Sequence, residues 1–268
     1  MIHRGQTTSG VRHPHRPAMI QGVLRVMSYN IQSGRGGDGH VDLGRIASVI
    51  AAFDPDLVAL QECGHQSNGS PAQAEELGAR LSMEARFVPC LDRKNIHYGL
   101  ATLSRLPILE TAVVPLPHRG RVFWSEPRRA LVTRVAWAPS ALGELQLVNT
   151  HLSTIRGEQP SQVMALGEAL AAPDLILAGD FNCTPRSATY RRLCDPLNAA
   201  VSRARTWPAL LPIFHLDHIF FRGALRVGTS GAWLGGPARI ASDHLPVVAA
   251  FEERITAQAA RVVAEASA

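Results

Sequence analysis

The sequence predicts an α/β layered fold made as one domain behind a short arm. From residue 23 onward, short β-like apolar runs alternate with runs of helical spacing, the order seen in layered α/β architectures. No Pro/Gly/Ser-rich linker and no shift of composition interrupts the chain after residue 22. The 268 residues are 46% hydrophobic and 18% charged, which supports a sizeable core and excludes a disordered chain. With 22 Gly and 18 Pro the chain suits a loop-rich globular fold and is not collagen-like.

Residues 1–22 contain three Arg and no acid, and read as a disordered basic arm. They hold no apolar stretch of the kind a secretory signal needs, and Met1 and Met19 both stand as possible starts. Val23–Tyr29 reads as the first strand. Leu43–Phe53 has apolar residues at helical spacing, broken by Asp54-Pro55-Asp56, and Leu57–Leu60 is then a short buried strand. Ala74–Leu81 is a second helix. Leu100–Leu103, Ala130–Trp137 and Leu145–Val148 are strands, Val163–Ala171 a helix, and Leu175–Ala178 a strand. Ile219–Phe221, Leu225–Val227 and Val247–Phe251 complete about nine or more strands. The domain thus covers residues 23–252, and residues 253–268 form an Ala-rich terminal helix or tail.

Charge and cysteine narrow the function classes. The 27 basic residues outnumber the 22 acidic ones by five, and three of the basic residues lie in the arm. The remaining excess of two is weak support for nucleic-acid binding. Cys63, Cys90, Cys183 and Cys194 lack metal-finger spacing and are too sparse for a disulfide scaffold. No apolar run approaches the roughly 20 residues that span a bilayer. A cytoplasmic protein with no transmembrane segment and no obligate protein partner is expected.

One internal echo points toward a site. Residues 55–62 (PDLVALQE) resemble residues 173–180 (PDLILAGD); each follows a helical run and sets a carboxylate just past four apolar residues. Ends of buried strands are where α/β folds assemble their sites, so Glu62 and Asp180 are candidates to meet at one rim. A plain helix–Pro-Asp–strand connector with solvated acids explains the same spacing. Polar residues also border other apolar runs: Tyr29-Asn30, Gln61-Glu62, Asn149-Thr150-His151, Gly179-Asp180-Phe181-Asn182, His215-Leu216-Asp217-His218 and Ser242-Asp243-His244. Six such borders, rich in Asp, Glu, Asn and His, indicate a convergent polar site.

The segments SYN (28–30), LQE (60–62), YGLATLSRLPI (98–108), NTHL (149–152), GDFN (179–182), LDHIF (216–220) and SDHLPV (242–247) resemble the endonuclease/exonuclease/phosphatase superfamily of deoxyribonuclease-like metal-dependent phosphoesterases, in its small bacterial form. The resemblance runs from about residue 23 to residue 251, in the family's order. It implies a two-sheet β-sandwich flanked by helices in four layers, with the site at one edge. It further implies hydrolysis of phosphate esters, most often phosphodiesters, with Mg²⁺ or Mn²⁺ as cofactor. Such chemistry needs a hard cation, an activated water and donors around the phosphoryl oxygens.

Carried over residue by residue, Glu62 is the metal carboxylate and Asn30 its carbonyl partner. Asp180 orients or deprotonates the attacking water, and Asn182 donates to a phosphate oxygen. His151 contacts the scissile phosphate and helps the leaving oxygen. Asp217 and His244 form a carboxylate–imidazole pair that stabilises charge or supplies an acid. Asp243 binds a metal or tunes that pair. Arg129 approaches the phosphate, with Arg128 as its substitute. Arg119, Arg121 and Trp124 are substrate-edge residues or part of a solvated loop, and Tyr98-Gly99 packs near the site. His215 and His218 are structural, and Tyr190, Arg191 and Arg192 form an exposed helical face. Nucleic acid, lipid head groups and small molecules all remain open as substrates, with a DNA-repair endonuclease and a sphingomyelinase-like lipid phosphodiesterase as alternatives. A catalytically dead binding module is a further one. Only 34 residues separate Asn182 from Asp217, little room for a DNA-clasping insertion.

Overall fold

A computed structural model describes residues 23–64, 73–93, 96–120, 125–138, 143–201 and 203–253. The arm (1–22), the tail after residue 253, Arg121 and Trp124 lie outside the described residues. The first sheet contains β1 (Val23–Asn30), β2 (Leu57–Gly64), β3 (Glu84–Arg93), β4 (Ile96–Ser104), β11 (Leu225–Ala232) and β12 (Val247–Glu253), in the order β11-β12-β1-β2-β4-β3. The second contains β5 (Ile108–Leu116), β6 (Arg128–Ala136), β7 (Glu144–His151), β8 (Leu175–Asp180), β9 (Asn198–Ala199) and β10 (Asp217–Arg222), in the order β5-β6-β7-β8-β10-β9.

The two sheets stack face to face on Leu24, Val26, Leu57 and Ala59 from one side and Val135, Leu147, Ile176 and Ala178 from the other. On the outer face of the first sheet lie α1 (Leu43–Phe53), α2 (Gln73–Leu81) and the short α5 (Ala238–Ala241). On the outer face of the second lie α3 (Gln159–Ala165) and α4 (Ala188–Cys194). Each sheet is therefore covered on both faces, which gives the four-layer sandwich that the resemblance implied.

Local chemistry explains the elements. In α1 the buried residues Ile46, Val49, Ile50 and Phe53 recur at helical spacing. The Asp42 side chain caps its start by accepting from Arg45 N–H (3.2 Å). Asp54 ends it in the left-handed region (φ 56°), and Asp56 then accepts from Arg25 N–H (2.8 Å), fixing β2 beside β1. The echo noted in the sequence is structural. β1 and β2 pair in parallel across α1, and β7 and β8 pair in parallel across α3.

Three differences from the sequence reading have physical causes. β3 and β5 escape a pattern search: β5 (ILETAVVPL) is exposed along most of its length, so no apolar alternation marks it. The helix expected at Val163–Ala171 begins earlier, at Gln159, with Pro160 in its first turn; after Ala165 the chain passes into a 3₁₀ turn at Glu168–Leu170. Tyr190 is buried rather than on an exposed face, because it packs against His218 and Phe220 (centroids 4.9 and 5.2 Å). Arg191 and Arg192 are exposed as expected.

The topology gathers the polar borders. β1 and β2 end side by side, since Asn30 pairs with Gln61. β12 runs antiparallel to β1, so its start, just after His244, lies at the end of β1. On the second sheet His151 pairs with Asp180, and Asp180 with Asp217. The ends of four parallel-running strands and the starts of two returning ones thus share one edge of the sandwich.

Candidate active site

Asp180 is the hub of that edge. Its Oδ2 receives Asn30 Nδ2 at 3.1 Å and lies 3.4 Å from His151 Nε2 and 3.8 Å from His244 Nε2. Its Oδ1 accepts from Asn182 N–H at 2.9 Å. Gly179 makes this approach possible: a Cβ there would lie 2.0 Å from Thr150 O, so only glycine lets β8 close on β7 and set Asp180 beside His151. Burial, with the Asp217 carboxylate adding to it, pushes the Asp180 carboxyl up to about 7.

Asn30 donates through the same Nδ2 to Glu62 Oε1 (3.1 Å), linking the two carboxylates. Its Oδ1, the atom expected to face a cation, accepts from Gln32 N–H (3.1 Å). Glu62 sits at a bulge in β2 with φ 51°, which turns its side chain to the rim. Burial raises its carboxyl, and the Asp243 carboxylate adds to the rise. Asp243 is half-buried; its Oδ2 takes Trp207 Nε1–H at 3.4 Å.

His244 Nδ1 and Asp217 Oδ2 are 2.9 Å apart. Burial alone would lower the His244 ring, but Asp217 and Asp180 outweigh it and raise it to about 10. His244 is therefore an imidazolium at neutral pH, with Nδ1–H on Asp217. His151 behaves oppositely: burial, Arg128 and His244 hold it well below the usual range. Asn182 Nδ2 donates both to Leu152 O (3.0 Å) and to His151 Nε2 (3.0 Å), so the neutral ring carries its proton on Nδ1.

The two adjacent arginines part ways. Successive residues of a strand point to opposite faces. Arg128, 6% exposed, acts electrostatically on Glu62 and His151, whereas Arg129 interacts with the Cys90 thiol, on which Arg128 also acts. Arg128 Nη2 and Tyr98 Oη both donate to Glu126 Oε2, the former at 3.0 Å. Arg128 Nε and Nη1 are buried without partners, as is Asp217 Oδ1.

Other polar residues read from the borders serve the frame. Asn149 donates to Leu60 O (2.9 Å) and Ala101 O (2.8 Å) and accepts from Gln61 Nε2 (2.8 Å), stitching the sheets together behind the site. Ser242 Oγ donates to Asn30 O (2.8 Å), tying the His244 loop to β1. His215 and His218 stack on each other at 4.3 Å, and His218 Nε2 bonds Cys183 O at 2.8 Å, as structural residues do. Arg119 is held through its backbone N–H by Glu158 Oε1 (2.7 Å). Glu126 was missed in the sequence: Ser-Glu-Pro carries no signal until Tyr98 and Arg128 are seen to share its oxygen.

The donor set suits a hard divalent cation. Among the described residues, Glu62, Asp180, Asp217 and Asp243 are accompanied at this edge by two cationic groups, His244 and Arg128, and Arg128 is tied to Glu126. The carboxylate and amide oxygens are the ligand types such a cation takes. Ligand atoms of Asp180, Asp217 and His244 also lie within 4.8 Å of one another.

A four-layer sandwich with a carboxylate-, amide- and histidine-lined site at the sheet edge defines a phosphoesterase architecture. The family model described as Endonuclease/Exonuclease/phosphatase family matches residues 27–244, and the chain belongs to that family, whose members are hydrolases of phosphate esters and generally use a divalent metal. The crystal structure of an endonuclease/exonuclease/phosphatase from Beutenbergia cavernae DSM 12333 is similar, with 25% identity and a TM-score of 0.73 over 87% of this chain and 72% of that one. A mannosyl-6-phosphatase from Bacteroides thetaiotaomicron VPI-5482 shares the fold at 18% identity and a TM-score of 0.65, over 85% of this chain and 99% of that one. So does ANGEL2, a 2',3'-cyclic phosphatase, at 16% identity and a TM-score of 0.68, over 87% of this chain and 96% of that one. No curated protein sequence matches the chain. Among the described residues no helix is long and apolar enough to cross a membrane.

Proposed function

We propose that the protein is a Mg²⁺-dependent phosphodiesterase, with Mn²⁺ as a working substitute. The observation that carries the reading is the convergence on Asp180, one carboxylate within 3.8 Å of Asn30, His151 and His244 from three other strands or loops. Glu62 would hold the cation, with Asn30 turned to present its oxygen and Asp243 beside them. When bound, the ion neutralises phosphoryl charge and favours ionised water.

The chain's own residues supply the rest. Asp180, poised near neutrality, accepts a proton from water as the water oxygen bonds to phosphorus on the face opposite the leaving oxygen. His244, charged and braced by Asp217 on the same side as Asp180, would steady the phosphoryl charge, while the departing oxygen takes its proton from solvent as its bond to phosphorus breaks. Arg128 would offer N–H donors to the phosphoryl oxygens, and Asn182 would join it by turning one amide hydrogen away from Leu152 O. Arg128 takes the phosphate role in place of Arg129, because its Nε and Nη1 are buried and unspent. His151 stays neutral and holds Asn182 in position. Hydrolysis of bis-p-nitrophenyl phosphate tests this reading. EDTA is expected to abolish turnover, and added Mg²⁺ or Mn²⁺ to restore it; undiminished turnover in EDTA would overturn the metal assignment.

A further inference from the structure

The loop between β9 and β10 carries Trp207-Pro208-Ala209-Leu210-Leu211-Pro212-Ile213-Phe214. It closes on itself: Phe214 N–H donates to Trp207 O (2.8 Å), Trp207 N–H donates to Phe214 O (3.1 Å), and the two rings lie 5.9 Å apart. With its base tied in this way, the tip projects. Leu210 is 74% exposed, Leu211 70%, Ile213 54% and Phe214 45%. Single exposed apolar residues are ordinary, but four within five positions of one closed loop mark an interaction surface. Arg239 Nη1 donates to Leu210 O (3.1 Å), which brings α5 and its exposed Ile240 alongside.

Charge indicates what covers this surface. Residues 200–216 contain Arg203 and Arg205, both exposed, and no Asp or Glu. These two precede the apolar tip in sequence, and the exposed Arg239, bonded to Leu210 O, adds a third positive charge beside it. On that side Asp243 is engaged by Trp207, and Asp38 pairs with Arg45 at 2.7 Å. An apolar tip with arginines and no acid in its loop fits the boundary between acyl chains and anionic head groups. Position relates this surface to the chemistry, since Ala209 N–H donates to Asp243 O (2.7 Å), one residue before His244. The base of the loop therefore adjoins the segment that carries His244.

We propose that this loop docks the enzyme on an anionic lipid bilayer, so that the phosphate ester it hydrolyses is carried by a lipid head group. The docking stands on the loop alone; the choice of substrate rests on the phosphoesterase reading above.

The test is sedimentation of the full chain with vesicles of equal parts phosphatidylglycerol and phosphatidylcholine, beside a Leu210→Ser/Leu211→Ser variant and an Arg203→Gln/Arg205→Gln variant. Wild type is expected to pellet with the vesicles. The Leu pair of substitutions should weaken binding by at least about tenfold, since each removes three carbons and adds a hydroxyl in the apolar phase. The Arg pair should abolish the preference over pure phosphatidylcholine. Turnover of bis-p-nitrophenyl phosphate by both variants should match wild type, while release of head group from the vesicles falls with binding. No vesicle binding by wild type, or equal binding by the Leu variant, overturns the docking. So does self-association of wild type that the Leu variant loses, which would assign the surface to a second copy of the chain. Vesicle binding without any bis-p-nitrophenyl phosphate turnover would leave the docking standing and defeat the phosphoesterase reading instead.

Discussion

Arg128 and Arg129 are neighbours in sequence and opposites in consequence. Arg128→Ala removes the buried guanidinium that acts on Glu62 and His151, and is expected to lower kcat/KM by about 10²-fold or more, as loss of a charged phosphate donor does. Arg129→Ala should change kcat/KM less than threefold, as steady-state kinetics on the same diester will show. Glu126→Gln is expected to act through Arg128: it removes the charge that both Tyr98 and Arg128 address, so KM should rise more than kcat falls. At this scale the sequence was most informative for residues held by the segments GDFN and SDHLP, because short polar motifs at strand ends keep their order along the chain. It was least informative about which of two arginines faces inward. That depends on the phase of β6, and residues 125–129 (SEPRR) offer no apolar alternation to set it.

At the level of elements, the site depends on how closely β7 and β8 approach. Gly179→Ala would set a Cβ 2.0 Å from Thr150 O and force the strands apart. Asp180 would then move away from His151. Loss of about 2–3 kcal/mol of stability is expected, read as a lower urea midpoint, with activity falling further than the fraction unfolded explains. Asn149→Leu tests the stitch between the sheets. It leaves Leu60 O and Ala101 O without their donor and should destabilise by a similar amount. The repeated helix–strand units were legible, since α1 and β2 have strong apolar periodicity and a Pro-Asp break. β3 and β5 were not. β5 is exposed on both faces for most of its length, and β3 packs Phe87 on one face and Val88 and Cys90 on the other, so neither alternates apolar with polar.

Across the whole molecule, buried neutral histidines link stability to pH. Burial, with His215 adding to it, lowers His218 to about 3. In the unfolded chain the ring takes a proton at about 6.5. Below that pH the unfolded state binds a proton that the folded state refuses, so stability falls as pH drops from about 6.5 toward 3, by up to about 1.4 kcal/mol per pH unit. Urea midpoints between pH 7 and pH 4 should fall more steeply for wild type than for His218→Gln. Alternating runs indicated α/β order, but which strands share a sheet is decided by pairings between residues far apart, such as Val23 with Glu252.

The account turns on Asp180 as the group that takes the proton from water. Asp180→Asn keeps the shape of the side chain and removes the base. Turnover of bis-p-nitrophenyl phosphate in saturating Mg²⁺ should fall by about 10³-fold or more in a variant whose thermal unfolding shows it folded. A folded variant within a few-fold of wild type would contradict it.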